Sequence, residues 1–167
     1  MSSLELIAPT VRLSNAWRQC HAEWGPGRHE DGFGLWSDDE VQSQAGFAAF
    51  VSRLAAPHEP PSDYRWIVRD GQVLGGIVLR LGESEYVRDL GHVGYGVRPS
   101  ARRRGLASWA LGRMLERARD SGLDRALLVC AADNLASART IQRCGGVFEE
   151  IREIELGRTR RYWVTLR

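Results

Sequence analysis

Residues 91–122, GHVGYGVRPSARRRGLASWALGRMLERARDSG, constrain the fold of this 167-residue chain more than any other segment. The run from His92 to Arg98 has the length of a strand, and Leu106, Trp109, Leu111, Met114, Leu115 and Ala118 recur at helical spacing until Ser121-Gly122. Between them lies Arg102-Arg103-Arg104-Gly105-Leu106-Ala107. A strand that passes into a helix through such a turn aims the helix N-terminus, with its unpaired N–H groups and about half a positive charge, at whatever occupies the turn. Gly105 lets the backbone approach that occupant with no Cβ in the way. Three arginines add fixed charge, so the turn from Arg102 through Ala107, with Ser108 beside it, reads as a pyrophosphate cradle.

The remaining elements follow from periodicity and punctuation. Leu4, Leu6 and Ala8 give a short first strand that stops at Pro9, and Val11 to about Glu23 is helical. The stretch from Trp24 to Trp36 holds four glycines and a proline and reads as a loop. Ser37, with Glu40 three positions later, has the pattern of a capping box opening a helix through Val41, Phe47, Phe50, Val51 and Leu54. Asp70-Gly71 joins two strands, Tyr64 to Arg69 and Gln72 to Leu81, into a hairpin. GESEYVRDLG reads as a connector or an irregular extension of that hairpin. The run ALLVCA, ending at Ala131, suits a central strand, Asn134 or a neighbour caps a helix from Leu135 to Cys144, and two last strands pair around Gly157. The order βααβββαβαββ describes one mixed α/β domain over residues 1–167.

Composition narrows the class further. Hydrophobic residues make up 43%, charged residues 26%, and the net charge is +2, which leaves no global basic field for nucleic acid. No apolar run approaches the roughly 20 residues of a membrane span, and MSSLELIAPT lacks the apolar core of a signal peptide, so a cytoplasmic protein is expected. Cys20, Cys130 and Cys144 show neither paired-cysteine nor metal-ligand spacing, and no metal site is expected.

Val97 to Ala107, VRPSARRRGLA, together with NLASARTIQRCGG from Asn134 onward, resembles the GNAT superfamily of acyl-CoA-dependent N-acetyltransferases. Arg102, Gly105 and Ala107 stand at the three defining positions of that family's acyl-CoA loop, and the likeness spans most of the chain, including the terminal RYWVTLR. A bacterial subgroup usually described only as predicted acetyltransferases is similar over GHVGYGVRPSARRRGLA. The resemblance implies a mostly antiparallel sheet flanked by helices and opened by a splayed parallel pair of strands. It implies acetyl-CoA as co-substrate, with its pyrophosphate on Arg102, Arg103, Arg104, Gly105, Leu106, Ala107 and Ser108, and its pantetheine along Tyr95, Gly96 and Val97. Asn134 and Ser137 would stand near the pantetheine or the attacking group. The resemblance also allows a homodimer.

An amide of the strand would face the thioester oxygen, where a preorganised donor stabilises the tetrahedral intermediate. The attacking amine must be neutral, which for a lysine-like amine of pKa about 10.4 costs about 4.6 kcal/mol at pH 7. His92, at the head of the strand, is the first choice of base because its ordinary pKa is about 6.5, with Glu83 and Glu85 next. Where the family carries its thiolate-protonating tyrosine, seven residues after Asn134, this chain has Ile141. Tyr95, Tyr162 and Cys144 are the replacements on offer, and a CoA thiol of pKa about 8.5 also leaves tolerably without an acid.

Acceptor recognition falls to the N-terminal half. His21, Glu23, Trp24, His29, Glu30, Asp31, Phe33 and Trp36 mix aromatics with acids and suit a cationic amine, whereas Arg80 suits a substrate carboxylate. The expected reaction is direct acetyl transfer to a primary amine of a small molecule or peptide. The alternative is an acyl-CoA-binding regulatory module with little catalysis.

Overall fold

The computed structural model describes residues 2–25, 31–59 and 61–167. Seven strands form two antiparallel sheets. The first has the order β1-β2-β3-β4, from β1 (Glu5–Ile7), β2 (Ser62–Arg69), β3 (Gln72–Arg80) and β4 (Val93–Val97). The second has the order β5-β7-β6, from β5 (Arg125–Ala131), β6 (Val147–Ile154) and β7 (Gly157–Thr165). The helices are α1 (Ser14–Ala22), α2 (Gln44–Ala55), α3 (Glu85–Leu90), α4 (Leu106–Asp120) and α5 (Leu135–Arg143). The β2-β3 hairpin turns as its Asp-Gly pair requires, with Asp70 at φ +53° and Gly71 at φ +73°, both left-handed as a type I′ turn demands.

Two expectations need correction. The segment expected to be a connector holds α3, because the Ser84 hydroxyl accepts the Val87 amide, Val87 buries its side chain, and Gly91 at φ +84° ends the helix. The capping box expected at Ser37 does not form, and α2 begins later with Ser43 as its cap, the Ser43 hydroxyl accepting from the Gly46 amide. Glu40 still acts, but forward: its carboxylate accepts the amides of Gln42 and Ser43 and so shapes the approach to the helix.

Apolar residues gather on the two faces. On one, Trp17, Phe33, Phe47, Phe50 and Trp66 pack edge-on or tilted at ring separations of 5.2 to 6.4 Å, binding α1 and α2 to the first sheet. On the other, Leu111 and Met114 of α4 and Ile141 of α5 meet Ile77, Leu79, Val93, Leu128 and Tyr162 of both sheets, so this second core ties the sheets together. Truncating a fully buried residue such as Trp17 to alanine would cost on the order of 3–5 kcal/mol. All 23 basic side chains are arginine, and several act as forks. Arg117 places two nitrogens on one oxygen of Asp63, and Arg53 reaches both Asp39 and the Gly34 carbonyl.

A 3-10 turn, Asp31–Phe33, lies against β3 and β4, and glycines make that contact possible. A Cβ on Gly32 would stand 2.2 Å from the Gly76 carbonyl oxygen, and one on Gly76 would stand 2.4 Å from the Phe33 ring. Backbone blocks the first position, so Gly32→Ala is expected to lower unfolding free energy by about 3 kcal/mol. Urea denaturation monitored by tryptophan fluorescence checks this, and a midpoint equal to that of the parent protein would refute the packing.

Candidate active site

Among the described residues, backbone hydrogen bonding between the two sheets centres on His92 and Leu127. His92 donates its amide to the Leu127 carbonyl at 2.8 Å, and its ring Nδ1 accepts the Leu127 amide at 2.8 Å. Beside this pair, Gly91 and Leu128 form a single bridge of antiparallel pattern, where a Cβ on Gly91 would come within 2.7 Å of the Leu127 carbonyl oxygen. Beyond it no ladder links β4 to β5 among the described residues, so the two strands splay and leave a gap.

Which groups of β4 face that gap follows from its pairing with β3. Arg80 donates its amide to the His92 carbonyl and Arg98 to the Leu74 carbonyl, so by alternation Gly94 and Gly96 also turn their polar groups to β3. Val93, Tyr95 and Val97 turn theirs to the gap. Gly96 therefore offers the gap no amide, and Tyr95 and Val97 do.

Across the gap stands the first turn of α5. Asn134 caps it, its Oδ1 accepting the Ser137 amide at 3.2 Å. The Tyr95 hydroxyl lies 2.7 Å from Ser137 Oγ, bridging β4 to α5. Burial pushes the Tyr95 phenol up to about 12, against the opposing effect of the Ser137 hydrogen bond. Ile141, one turn further along α5, is wholly buried and belongs to the core. Cys144 follows α5 and points its thiol at the Ser108 carbonyl in the first turn of α4, at 3.6 Å.

The cradle lies at the far end of β4. Arg103 (φ +64°) and Gly105 (φ +75°) are both left-handed, and such a backbone turns successive amides toward a common point. The Gly105 carbonyl accepts the Trp109 amide, so the amides of Leu106, Ala107 and Ser108 are the first-turn donors. No side chain caps α4, and its first turn holds no acid. Space around Gly105 is open on the side a Cβ would take. The three arginines are all exposed but not equivalent: Arg102 donates its Nε to the Val97 carbonyl at 2.9 Å and so shapes the loop. Leu106 contributes its backbone only, because its side chain is in the core.

The other expected site residues are scattered. Arg80 is 1% exposed, donates to the Gly91 carbonyl and lies over the Tyr86 ring, so no substrate carboxylate reaches it. Phe33 is buried in the aromatic core and Trp24 packs edge-on against it. Trp36 is 60% exposed, with the Arg53 guanidinium 3.8 Å above its ring. Glu83 and Glu85 are exposed around the start of α3. His29 and Glu30 lie outside the described residues. Glu23, expected among the acids that meet a cationic amine, is engaged otherwise: its carboxylate holds Arg98 and Ser100 immediately before the cradle, partners more than 70 positions away that no local pattern marks.

The sequence model of the acetyltransferase (GNAT) domain matches residues 18–147. The chain belongs to this GNAT family. Solved structures agree on the fold. A microcin self-immunity acetyltransferase, MccE, in complex with acetyl-CoA and AMP is 14% identical, with 97% of this chain and 92% of that one covered and a TM-score of 0.73. RimL, a ribosomal-protein α-N-acetyltransferase in complex with coenzyme A, is 18% identical, with 98% and 94% covered and a TM-score of 0.73. Mycobacterium smegmatis RimJ in complex with CoA-disulfide is 16% identical, with 97% and 81% covered and a TM-score of 0.75. No curated protein sequence matches the chain. In this GNAT domain, no group of described residues has the make-up of a metal site, and none of its described helices is long and apolar enough to cross a membrane.

The joint has a signature in acid. Burial, with the Arg80 charge adding to it, holds the His92 imidazole below its ordinary pKa, and accepting the Leu127 amide at Nδ1 keeps the proton on Nε2. The unfolded chain therefore binds a proton at His92 that the folded chain resists. Its contribution to stability is complete above about pH 6.5 and declines as pH falls below that value toward the folded pKa. His92→Gln is expected to be less stable at pH 7.5, by about 1–3 kcal/mol for the orphaned Leu127 amide, and to lose less further stability between pH 7 and 5.5. Urea midpoints of both proteins across that range test it, and parallel pH curves would sink it.

Proposed function

We propose that the protein transfers the acetyl group of acetyl-CoA directly to a primary amine of a small molecule or peptide. The observation that carries this reading is the alignment of three features along one gap. These are the uncapped N-terminus of α4 behind Arg103 and Gly105, the edge of β4 that turns the Val97 amide and the Tyr95 backbone away from β3, and the Tyr95–Ser137 pair beyond. Their order matches the order of groups in an acyl-CoA: diphosphate, amide-bearing pantetheine arm, thioester. MccE in complex with acetyl-CoA, and RimL in complex with coenzyme A, support the reading.

In this reading the diphosphate sits on the amides of Gly105, Leu106, Ala107 and Ser108, with Arg103 and Arg104 adding charge. Pantetheine amides pair with the outward groups of Tyr95 and Val97, as an extra strand would. A β4 amide at the thioester end stabilises the oxyanion once the amine nitrogen has attacked the carbonyl carbon. As the C–S bond breaks, the thiolate forms close to Tyr95 and Ser137. A phenol held near pKa 12 is about 3.5 units weaker as an acid than a CoA thiol, so full proton transfer from it would be uphill by about 5 kcal/mol. Tyr95 and Ser137 serve as hydrogen-bond donors to the departing sulfur, and the proton the sulfur finally takes is the one shed by the amine. His92 is assigned to the joint rather than to proton abstraction, because its Nδ1 is engaged and its Nε2 carries the hydrogen. Glu83 and Glu85, the carboxylates expected as alternative bases, stay open to solvent.

Two variants separate binding from chemistry. Gly105→Glu fills and charges the cradle, and is expected to abolish CoA binding by calorimetry; unchanged affinity would reject the placement. Tyr95→Phe is expected to lower turnover about tenfold at unchanged KM for acetyl-CoA. Thiol release from acetyl-CoA across a panel of polyamines, amino acids, aminoglycosides and peptide N-termini tests the reaction itself. Tight CoA binding with no amine-dependent release would leave a CoA-binding regulatory module, a reading that Ile141 in place of the family's tyrosine favours.

A further inference from the structure

One carboxylate ties the cradle to the opposite side of the molecule. Glu23 closes α1, and the chain runs from it straight into Trp24 and the segment ahead of the Asp31–Phe33 turn. Its two oxygens accept three hydrogen bonds and make one further ion-pair contact. Oε1 takes the Ser100 amide at 2.9 Å, while Oε2 takes the Ser100 hydroxyl at 2.9 Å, Arg98 Nε at 2.7 Å and Arg98 NH2 at 2.5 Å. Arg98 reaches on to the carbonyls of Val73 and Gln19. Ser100 lies in the 3-10 turn Pro99–Ala101, next to Arg102. The same three residues thus fix where the cradle begins, where α1 ends, and where the loop between β4 and α4 leaves the sheet. On the far side, Trp24 packs edge-on against Phe33 at 5.4 Å, and Phe33 seats on Gly76 of β3.

We propose that Glu23 is a positioning residue for the acyl-CoA diphosphate: it holds the backbone of Arg98 to Ser100 so that the cradle is preformed, and it passes the state of that loop to the end of α1. This inference rests on the reading that residues 103–108 hold the diphosphate.

The arrangement favours this over simple surface pairing. An exposed ion pair between flexible side chains contributes little, but here one acceptor also takes a backbone amide and a hydroxyl of the loop itself. The side chains of Glu23 and Arg98 are 25% and 14% exposed, so solvent competes only partly. Removing the carboxylate frees the backbone at Ser100, just before the left-handed residue Arg103, whose conformation is unfavourable unless its surroundings impose it. The loop then samples other shapes, and a ligand must select the competent one at a cost in affinity.

The test uses the full-length protein and two thioesters, acetyl-CoA and S-acetylpantetheine, the latter lacking the diphosphate. Their binding is followed by tryptophan fluorescence in the parent protein, Glu23→Gln and Glu23→Ala. The expected result is an acetyl-CoA Kd raised about tenfold in Glu23→Ala and by less in Glu23→Gln, which keeps an oxygen for the Ser100 amide. The S-acetylpantetheine Kd should stay within twofold throughout. Amide hydrogen exchange gives the second arm, with CoA expected to slow exchange from Ala22 to Gly25 in the parent protein but not in Glu23→Ala. Equal loss of affinity for both thioesters would mean a general structural defect and overturn the proposal, as would unchanged acetyl-CoA affinity in Glu23→Ala. Arg103→Ala and Gly105→Glu are controls for the underlying reading. If they too bind acetyl-CoA normally, the diphosphate lies elsewhere; if they fail while Glu23→Ala binds normally, only the role of Glu23 falls.

Discussion

Everything at the site depends on how little holds β4 to β5. A continuous ladder between them would merge the two sheets and consume the edge groups of Val93, Tyr95 and Val97. Instead a single joint does the work, made of the His92 backbone, the His92 imidazole and Leu127. An imidazole suits this duty because it offers an acceptor on a rigid arm, so that the Leu127 amide is satisfied by a side chain and the backbone is free to diverge. Below the joint the shared core of α4, α5 and both sheets keeps the halves in register. Above it the gap is lined with strand edge that pairs with no other strand, a feature most folds cover or avoid because it invites other chains. Here it is narrowed by helices on one side, and bridged at mid-height by Tyr95 and Ser137.

The cradle and the gap differ in how they are built. The cradle is local: a left-handed residue, a glycine and a helix start within a few positions, so it is legible in the sequence. The gap is not, since it arises from strands brought together by tertiary packing. The same distinction sorts the other readings. Asp70-Gly71 and the Asn134 cap were visible because their chemistry acts over two or three residues. The α3 helix carries equally local signals in Ser84 and Gly91, but it is only six residues long and lacks an amphipathic repeat to announce it. The Ser37 and Glu40 spacing looks like a cap, yet Ser43 holds that place because Gly46 lets the helix start pack against the Glu40 backbone.

Polar residues were the hardest to read, for a physical reason. An arginine or histidine in a strand has the same sequence appearance whether it serves a ligand or satisfies a neighbouring carbonyl, and burial decides between them. Arg80 and His92 look like site chemistry and are consumed by the joint and its surroundings. Arg102 looks like one of three equal charges and instead shapes the loop. Glu23 looks like an acid for a cationic acceptor, while two residues more than 70 positions away, Arg98 and Ser100, converge on it. Family membership, shown over residues 18–147, supplies the frame in which these differences acquire meaning.

The exclusive use of arginine has a consequence beyond hydrogen-bond geometry. A guanidinium stays protonated at every physiological pH and is a poor nucleophile, whereas a lysine amine is the kind of group that acyl thioesters modify, with or without a catalyst. A GNAT protein that uses arginine at every Lys/Arg position presents no lysine amine to an acyl thioester. Its charge pattern, and with it the cradle, Arg98 and the Arg53 and Arg117 forks, is therefore chemically inert toward acylation.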